Sequence, residues 1–137
     1  MTESVEEIYN YVKISDTIAT AGQPTASQLA AIQAAGFQVV INLAPPTAPN
    51  ALADEPDIVK HLGMEYQSIP VLWDAPKLAD VARFFAAMQA NHGRQVFVHC
   101  AANMRVSAFM YLYETLVQRV DPAVAALNLQ QRSHLGH

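Results

Sequence analysis

Apolar and polar residues follow each other along this chain in the order expected of an α/β fold. Short apolar or β-branched runs predict strands, and longer segments whose apolar residues recur at helical spacing separate them. The predicted strands are Tyr11–Ile14, Val39–Leu43, Met64–Val71 and Val96–His99. The predicted helices run from Thr25 to Gly36, from Asp54 to Gly63, from Lys77 to Asn91 and from Val106 to Val120, with a last one after Asp121-Pro122. Strands that alternate with helices predict a largely parallel central sheet flanked by helices.

Local signals mark the ends of several of these helices. Thr25 and Gln28 have the spacing of a capping box, and Asp54 is placed to cap the next helix. Gly36 and Gly63 mark two helix C-termini. The helix from Val106 to Val120 is apolar most of the way round, so we expect it to be central.

Composition narrows the class of protein. The 137 residues are 52% apolar and 15% charged, which is typical of one compact domain spanning residues 1–137. A net charge of −4 gives no overall field for nucleic acid or an anionic membrane, and no apolar run reaches the length of a membrane span. The first residues lack the features of a secretion signal, and a single cysteine cannot form an internal disulfide. We therefore expect a cytoplasmic protein that binds neither nucleic acid nor membrane; its oligomeric state is not predicted.

The segment from Cys100 to Arg105 carries the strongest functional signal. It joins a predicted strand to a predicted helix, so Cys100 lies where unpaired N–H groups and the helix dipole stabilise a thiolate and bind oxyanions. Asn103 occupies the turn, where a left-handed backbone is expected. A cysteine followed by an arginine predicts a nucleophile that attacks an anionic substrate. The residues between them would bind that anion through their backbone N–H groups: Ala101, Ala102, Asn103 and Met104.

These residues also carry a family resemblance. His99-Cys100 after an apolar strand, followed by Arg105 and Ser107, resembles the signature loop of the cysteine-dependent protein tyrosine and dual-specificity phosphatases. Over nearly its full length the chain is similar to a small bacterial branch of that superfamily. Four segments fit that branch: Gly22-Gln23-Pro24, Val40–Leu43, Ile69-Pro70-Val71 and His99–Tyr113.

The resemblance implies a single protein tyrosine phosphatase-like α/β domain and a role for each residue of the loop. Cys100 would attack a phosphoester, with phosphotyrosine among the candidate substrates, and form a thiophosphate intermediate. Arg105 would bind the phosphate, Ser107 would hydrogen-bond the cysteine sulfur, and His99 would orient the loop from beneath. The implied partner is a phosphorylated protein or small molecule, and the chemistry needs no metal or organic cofactor.

One departure from the signature keeps other functions open. The phosphatase loop has five residues between cysteine and arginine, whereas four separate Cys100 from Arg105, and Val106 lies where the arginine belongs. Because one residue turns a helix by about 100°, either the loop is rebuilt or Arg105 approaches from another side. The shorter spacing resembles the loop of single-domain rhodaneses, in which Cys100 would carry a persulfide. A third alternative is a catalytically silent anion-binding module.

The resemblance also calls for a general acid on an upstream loop. Asp74 is the candidate, because it follows a predicted strand and lies between Trp73 and a proline. A turn or helix-cap aspartate is the competing interpretation. Asp80 is a weaker second choice, expected on the solvated side of its helix, and Trp73 either shapes the pocket or closes the edge of the core. The remaining histidines share no spacing that suggests a metal site: His61, His92, His134 and His137.

Overall fold

One mixed five-stranded sheet forms the centre of the fold. The computed structural model describes residues 4–72 and 74–133, the last six by their backbone only. The strands are β1 (Val12–Lys13), β2 (Ile18–Ala21), β3 (Val39–Asn42), β4 (Glu65–Ser68) and β5 (Val96–His99). They lie in the order β1-β2-β5-β3-β4, and β1 alone is antiparallel to its neighbour. The predicted α/β fold with a largely parallel sheet is confirmed.

Helices cover both faces of this sheet. After a short 3₁₀ helix at Val5–Glu7, they are α1 (Ala26–Ala34), α2 (Glu55–His61), α3 (Leu78–Ala90), α4 (Met104–Leu116) and α5 (Pro122–Ser133). Among the described residues, no helix is both long and apolar enough to cross a membrane.

Successive side chains of the middle strand enter the two halves of the core. Val96 and Val98 of β5 pack on one face with residues of α3 and α4, whereas Phe97 packs on the other with residues of α1 and α2. Side chains that alternate in this way are what a strand buried on both faces requires. The predicted central position of α4 is confirmed, because its buried residues lie within the first half of the core: Val106, Phe109, Met110 and Tyr113.

The register of the sheet determines where the segment from Cys100 to Arg105 lies. His99 is paired with Ala21 at the end of β2 and with Asn42 at the end of β3. Three parallel strands therefore end side by side, and Cys100 is the first residue beyond the middle one. This edge is where open α/β sheets bind their ligands.

Two expectations from the sequence are wrong. Strand β2 was not predicted, because Ile18–Ala21 is short and its small residues show no clear alternation. Asp80 was expected in solvent, but it is only 4% exposed: its carboxylate accepts the N–H of Lys77 (3.0 Å) and pairs with Arg83 (2.6 Å).

Candidate active site

Cys100 lies at the bottom of a shallow cavity at the carboxyl edge of the sheet. The cavity has a volume of about 220 Å³ and is lined by Cys100, Ala101, Ala102, Met104 and Arg105. The Cys100 side chain is 1% exposed, and its backbone N–H donates to the carbonyl of Ala21 at 3.4 Å. The sequence-predicted loop residues therefore line one cavity, except for Asn103, which is fully buried. Because Cys100 is the candidate nucleophile, we call the segment from Cys100 to Arg105 the catalytic loop.

Asn103 turns the catalytic loop into helix α4. Its backbone is left-handed (φ 64°), as predicted, and it is the N-cap residue of the helix. Its buried amide donates to the carbonyl of Asn10 (2.9 Å) and to the hydroxyl of Thr20 (3.1 Å). Asparagine tolerates this conformation better than most residues, and here its side chain also fixes the turn to the rest of the fold.

The carbonyl groups of the catalytic loop are held by donors from other segments. The Ala101 carbonyl accepts the N–H of Gln23 (3.1 Å) and the amide of Asn50 (3.1 Å). The Ala102 carbonyl accepts the amide of Asn10 (3.0 Å). In a trans peptide the C=O and the N–H point in opposite directions. A donor that binds the carbonyl on one side of the loop therefore leaves the N–H of the following residue directed to the opposite side.

Three N–H groups of the loop are accordingly available to an anion. Within the part of the chain that the structure describes, the backbone N–H groups of Ala101, Ala102 and Met104 have no hydrogen-bond acceptor. Unpaired N–H groups at the start of a helix are a favourable site for phosphate or another oxyanion. This is the geometry that the sequence predicted for these residues.

Arg105 is the second residue of α4, and its side chain reaches back across the sheet edge. Its Nη1 donates to the carbonyl of Val71 at 2.8 Å, and it contributes to the cavity wall beside Cys100. Val106 is fully buried in the core. Val106, which occupies the position of the phosphatase arginine, therefore has its side chain inside the protein. The Arg105 side chain lies instead on the side of the cavity next to Val71, in the segment after β4.

Ser107 supports the loop through Asn103. Its hydroxyl donates to the Asn103 carbonyl, and its N–H binds the same oxygen at 3.3 Å. A hydrogen bond from Ser107 to the cysteine sulfur stays a prediction, because it requires this hydroxyl to turn.

A buried polar group lies behind the catalytic loop, and the sequence did not predict it. His99 is fully buried; its Nε2 lies 2.6 Å from Oε2 of Glu55, and its Nδ1 lies 3.4 Å from the Cys100 carbonyl oxygen. Glu55 is 1% exposed, and its Oε1 accepts the amide of Gln23 at 2.8 Å. The predicted position of His99 beneath the loop matches this geometry. Glu55 was missed because, in sequence, it resembles any acidic residue in the first turn of a helix.

Asp74, the candidate general acid, lies in an exposed turn between β4 and α3. The turn follows Val71, whose carbonyl binds Arg105, so the segment that carries Asp74 starts at the edge of the cavity. Asp80, the second choice, is engaged in capping α3 and is removed as a candidate. Trp73 lies outside the described residues.

The other histidines are not part of this cavity. His61 is exposed on α2, where its Nδ1 bonds the carbonyl of Asp57, and His92 is exposed in the turn after α3. His134 and His137 lie outside the described residues. Among the side chains that are described, no three of the types His, Cys, Asp and Glu cluster as a metal site would require.

Comparison with known proteins identifies the family. The model of the dual-specificity and protein tyrosine phosphatases fused to NAD⁺ kinase (PTP-NADK) matches residues 3–136.

The chain belongs to this phosphatase family.

A solved structure and a curated relative are similar to this chain over most of its length. A crystal structure from Shewanella putrefaciens, named as a candidate phosphatase, is 36% identical to this chain. The two structures superimpose with a TM-score of 0.80, and the match covers 98% of each chain. The Agrobacterium fabrum β-lactamase hydrolase-like protein is 31% identical over 80% of this chain, which spans 26% of that relative's length.

A more distant structure shares the fold. Pseudomonas aeruginosa TpbA, solved in complex with phosphotyrosine, is 19% identical with a TM-score of 0.73, over 98% of this chain and 86% of its own. The phosphatase fold predicted for this chain is confirmed.

Proposed function

We propose that this protein is a cysteine-dependent phosphatase that hydrolyses a phosphate monoester through a thiophosphate intermediate on Cys100. The observation that carries the proposal is the catalytic loop itself: a cysteine at the sheet edge, beside loop N–H groups without acceptors, at the N-terminus of a long helix. Membership of a phosphatase family supports the same chemistry. Such a site stabilises both the thiolate and the phosphate that it attacks.

In the first step the Cys100 thiolate attacks phosphorus and the bond between phosphorus and the ester oxygen breaks. The leaving oxygen takes a proton from the carboxylic acid of Asp74. The charge on the equatorial phosphoryl oxygens is stabilised by the loop N–H groups and by Arg105.

In the second step a water molecule attacks the thiophosphate. Asp74, now a carboxylate, accepts a proton from this water, and the bond between phosphorus and sulfur breaks. Inorganic phosphate leaves and the Cys100 thiolate is restored, so no oxidant, reductant or metal takes part.

The walls of the cavity suggest the kind of substrate. The residues between Cys100 and Arg105 have no ionisable side chains, so Arg105 is the one cationic residue among the described residues that line the cavity. This favours a single phosphate group on a protein or small-molecule carrier, phosphotyrosine included, over a polyphosphate.

The proposal is tested by hydrolysis of p-nitrophenyl phosphate and of a phosphotyrosine peptide by the wild-type protein and the Cys100→Ser variant. We expect turnover in the wild type and none in the variant. Because Cys100 is the single cysteine of the sequence, an acid-quenched reaction should show the mass of one phosphoryl group on that residue. Undiminished turnover by Cys100→Ser would refute the mechanism.

The shorter spacing between Cys100 and Arg105 favours sulfur transfer as the second candidate. A rhodanese-like enzyme would gain one sulfur atom on Cys100 from a sulfane donor, and an unmodified thiol would exclude it. Phosphate binding without turnover on either phosphoester would instead indicate a silent anion-binding module.

A further inference from the structure

Asn10 has an unusual backbone conformation, although it lies far from the catalytic loop in sequence. Within the part of the chain that the structure describes, three residues other than glycine have a positive φ: Asn10 (55°), Asn103 (64°) and Arg119 (56°). Residues held in this region often lie at functional sites. Asn10 and Asn103 are 93 positions apart, yet they are in direct contact. Two of the three left-handed residues therefore meet at the catalytic loop.

The contact between the two asparagines is reciprocal. The Asn103 side-chain amide donates to the backbone carbonyl of Asn10 at 2.9 Å. The Asn10 side-chain amide donates to the carbonyl of Ala102, the residue before Asn103, at 3.0 Å. We call these two hydrogen bonds the asparagine clasp. The clasp holds the peptide group between Ala102 and Asn103 through its carbonyl and through the side chain that follows it.

We propose that Asn10 is a positioning residue of the active site, which through the asparagine clasp directs the N–H groups of Ala102 and Met104 toward a bound phosphate. These two N–H groups lie on either side of the clasped peptide, and neither has an acceptor among the described residues. A rotation of that peptide would turn both of them away from the anion. The inference rests on the proposed function, in which these groups bind the phosphoryl oxygens.

The position of Asn10 is determined by the core of the protein. The Tyr11 N–H donates to the carbonyl of Ile8 (3.0 Å), which closes a turn with Asn10 as its third residue. A positive φ at the third position of a turn is usually supplied by glycine or asparagine. The turn is anchored on both sides, because Ile8 is buried and so is Val12, the first residue of β1. Asn10 therefore presents its amide to the loop from a fixed support.

The other half of the clasp is equally constrained. The Asn103 amide nitrogen has two N–H donors, and both are used: one by the Asn10 carbonyl and one by the Thr20 hydroxyl (3.1 Å). Close by, the Tyr9 carbonyl accepts the N–H of Gly22 at 2.7 Å, and Gly22 forms a single β-bridge with Ala102. The Asn103 side chain therefore fixes the loop to the turn and to β2, and its amide is not available to an anion.

Asparagine meets two requirements at position 10 that conflict in most other residues. The backbone must be left-handed, which glycine adopts more easily than asparagine does. The side chain must also donate to the Ala102 carbonyl, which glycine cannot do. Aspartate has nearly the same shape, but its ionised carboxylate only accepts hydrogen bonds and would face the carbonyl as a second acceptor. The amide of Asn10 is therefore the feature that the experiment has to isolate.

The first test separates the amide from the backbone conformation. Asn10→Gly and Asn10→Ala both remove the donor, but alanine is strained at a positive φ and glycine is not. We expect both variants to bind inorganic phosphate about tenfold more weakly than the wild type. Asn10→Ala should in addition unfold at a lower urea concentration than Asn10→Gly. Phosphate affinities that follow the order of stability, or an unchanged affinity in Asn10→Gly, would overturn the inference.

The second test observes the N–H groups themselves. In ¹⁵N-labelled wild-type protein, nuclear magnetic resonance should show the amide signals of Ala102 and Met104 shifting as inorganic phosphate is added. In Asn10→Gly the same two signals should shift less at saturation, because their N–H groups no longer point at the anion. Signals that do not respond to phosphate in the wild type, or that reach the same shifts in Asn10→Gly, would contradict the inference.

Two further variants complete the comparison. Asn10→Asp keeps the shape of the side chain without its donor, so it should bind phosphate at least as weakly as Asn10→Gly does. Arg119→Gly is the matched control, because Arg119 is the third left-handed residue and lies exposed beyond the far end of α4. It should unfold at a higher urea concentration than the wild type, since its backbone strain is relieved, and should bind phosphate as the wild type does. Weaker phosphate binding in Arg119→Gly would mean that the effect of Asn10→Gly is not specific to the loop.

The failure of this inference can be distinguished from the failure of the proposed function. A wild type whose phosphate binding depends on Asn10 but which hydrolyses no phosphoester would refute the proposed function alone. An active enzyme whose phosphate affinity and kcat/KM are unchanged by Asn10→Gly would refute this inference alone.

Discussion

Arg105 donates a hydrogen bond of 2.8 Å from Nη1 to the carbonyl oxygen of Val71, a residue 34 positions earlier in the chain. The bond joins the start of α4 to the segment that leads to Asp74. A guanidinium has five N–H donors in a fixed planar arrangement, and one of them is committed to this contact. Arg105 therefore connects the proposed phosphate site with the segment that carries the proposed acid.

Arg105→Lys should lower kcat/KM by roughly 10²–10³-fold, because an ammonium group reproduces neither the planar donors nor the reach to Val71. Steady-state hydrolysis of p-nitrophenyl phosphate measures this. The control is Arg83→Lys, an exposed arginine whose partner is Asp80, and it should retain wild-type turnover. Equal loss in both variants would mean that the effect is not specific to the site.

Asp74→Asn should lower kcat by about 10²–10⁴-fold for a phosphotyrosine peptide and less for p-nitrophenyl phosphate, whose leaving group needs little protonation. Because Arg105 holds the start of this segment, Asp74→Asn should lower kcat by a smaller factor when it is made in the Arg105→Lys variant. Strictly additive effects would show that the two residues act independently. Asp16→Asn, an exposed aspartate paired with Lys13, is the control for the loss of one acidic charge.

Gly22→Ala should disturb the catalytic loop, since a Cβ at this position would lie 2.6 Å from Cδ2 of Tyr9 and 2.9 Å from the Ala101 carbonyl oxygen. We expect a loss of about 1–3 kcal/mol in the free energy of unfolding, together with reduced kcat/KM. Urea unfolding and steady-state kinetics measure the two effects.

Gly63→Ala is the matched control for that substitution. Gly63 has a φ of +84° and no atom within 4 Å of an added Cβ, so only backbone strain of about 1 kcal/mol is expected. Stability should fall, but turnover should not. A catalytic loss as large as that of Gly22→Ala would mean that general destabilisation explains both.

The stability of the protein should fall as the pH rises above 10. Burial, followed by the charge of Glu55, raises the pKa of Tyr66, and burial also raises the pKa values of Tyr11 and Tyr113. Above pH 10 the unfolded chain loses these protons first, so deprotonation favours unfolding. The contribution of these protonated tyrosines to the free energy of unfolding is complete below pH 10. It is lost as the pH rises through their pKa values in the folded protein.

Tyr66→Phe should make this fall less steep, and at pH 7 it should lower stability by about 1 kcal/mol, because the Asn42 amide loses its acceptor. Urea unfolding between pH 8 and pH 11 measures both effects. Tyr111→Phe on α4 is the control. A slope unchanged by Tyr66→Phe would show that this hydroxyl does not contribute.

The sequence predicts well those features that neighbouring residues determine. The Thr25–Gln28 capping box forms as expected, with both of its hydrogen bonds, and the left-handed Asn103 lies at the predicted turn. Both depend on residues within a few positions of each other, and their side chains compete locally for backbone groups.

Features that depend on distant contacts were not predicted. Glu55 meets His99 across 44 residues, and only the parallel order of β3 and β5 brings α2 beneath the end of β5. Without that topology Glu55 cannot be distinguished from Asp57. The predicted exposure of Asp80 was wrong for a related reason. Its side chain caps the start of α3 and is buried there, although the apolar pattern of the helix places it on the polar side.

Asn10, Gln23 and Asn50 hold the carbonyl groups of Ala101 and Ala102 from outside the loop, and they come from three different parts of the chain. The loop therefore has its anion-binding shape before any anion arrives. Under the proposed function, phosphate entering the cavity would meet dipoles that are already aligned, so little of its binding energy would be lost in ordering the backbone. Preorganisation of this site is a property of the whole sheet edge, although the loop itself is only six residues long.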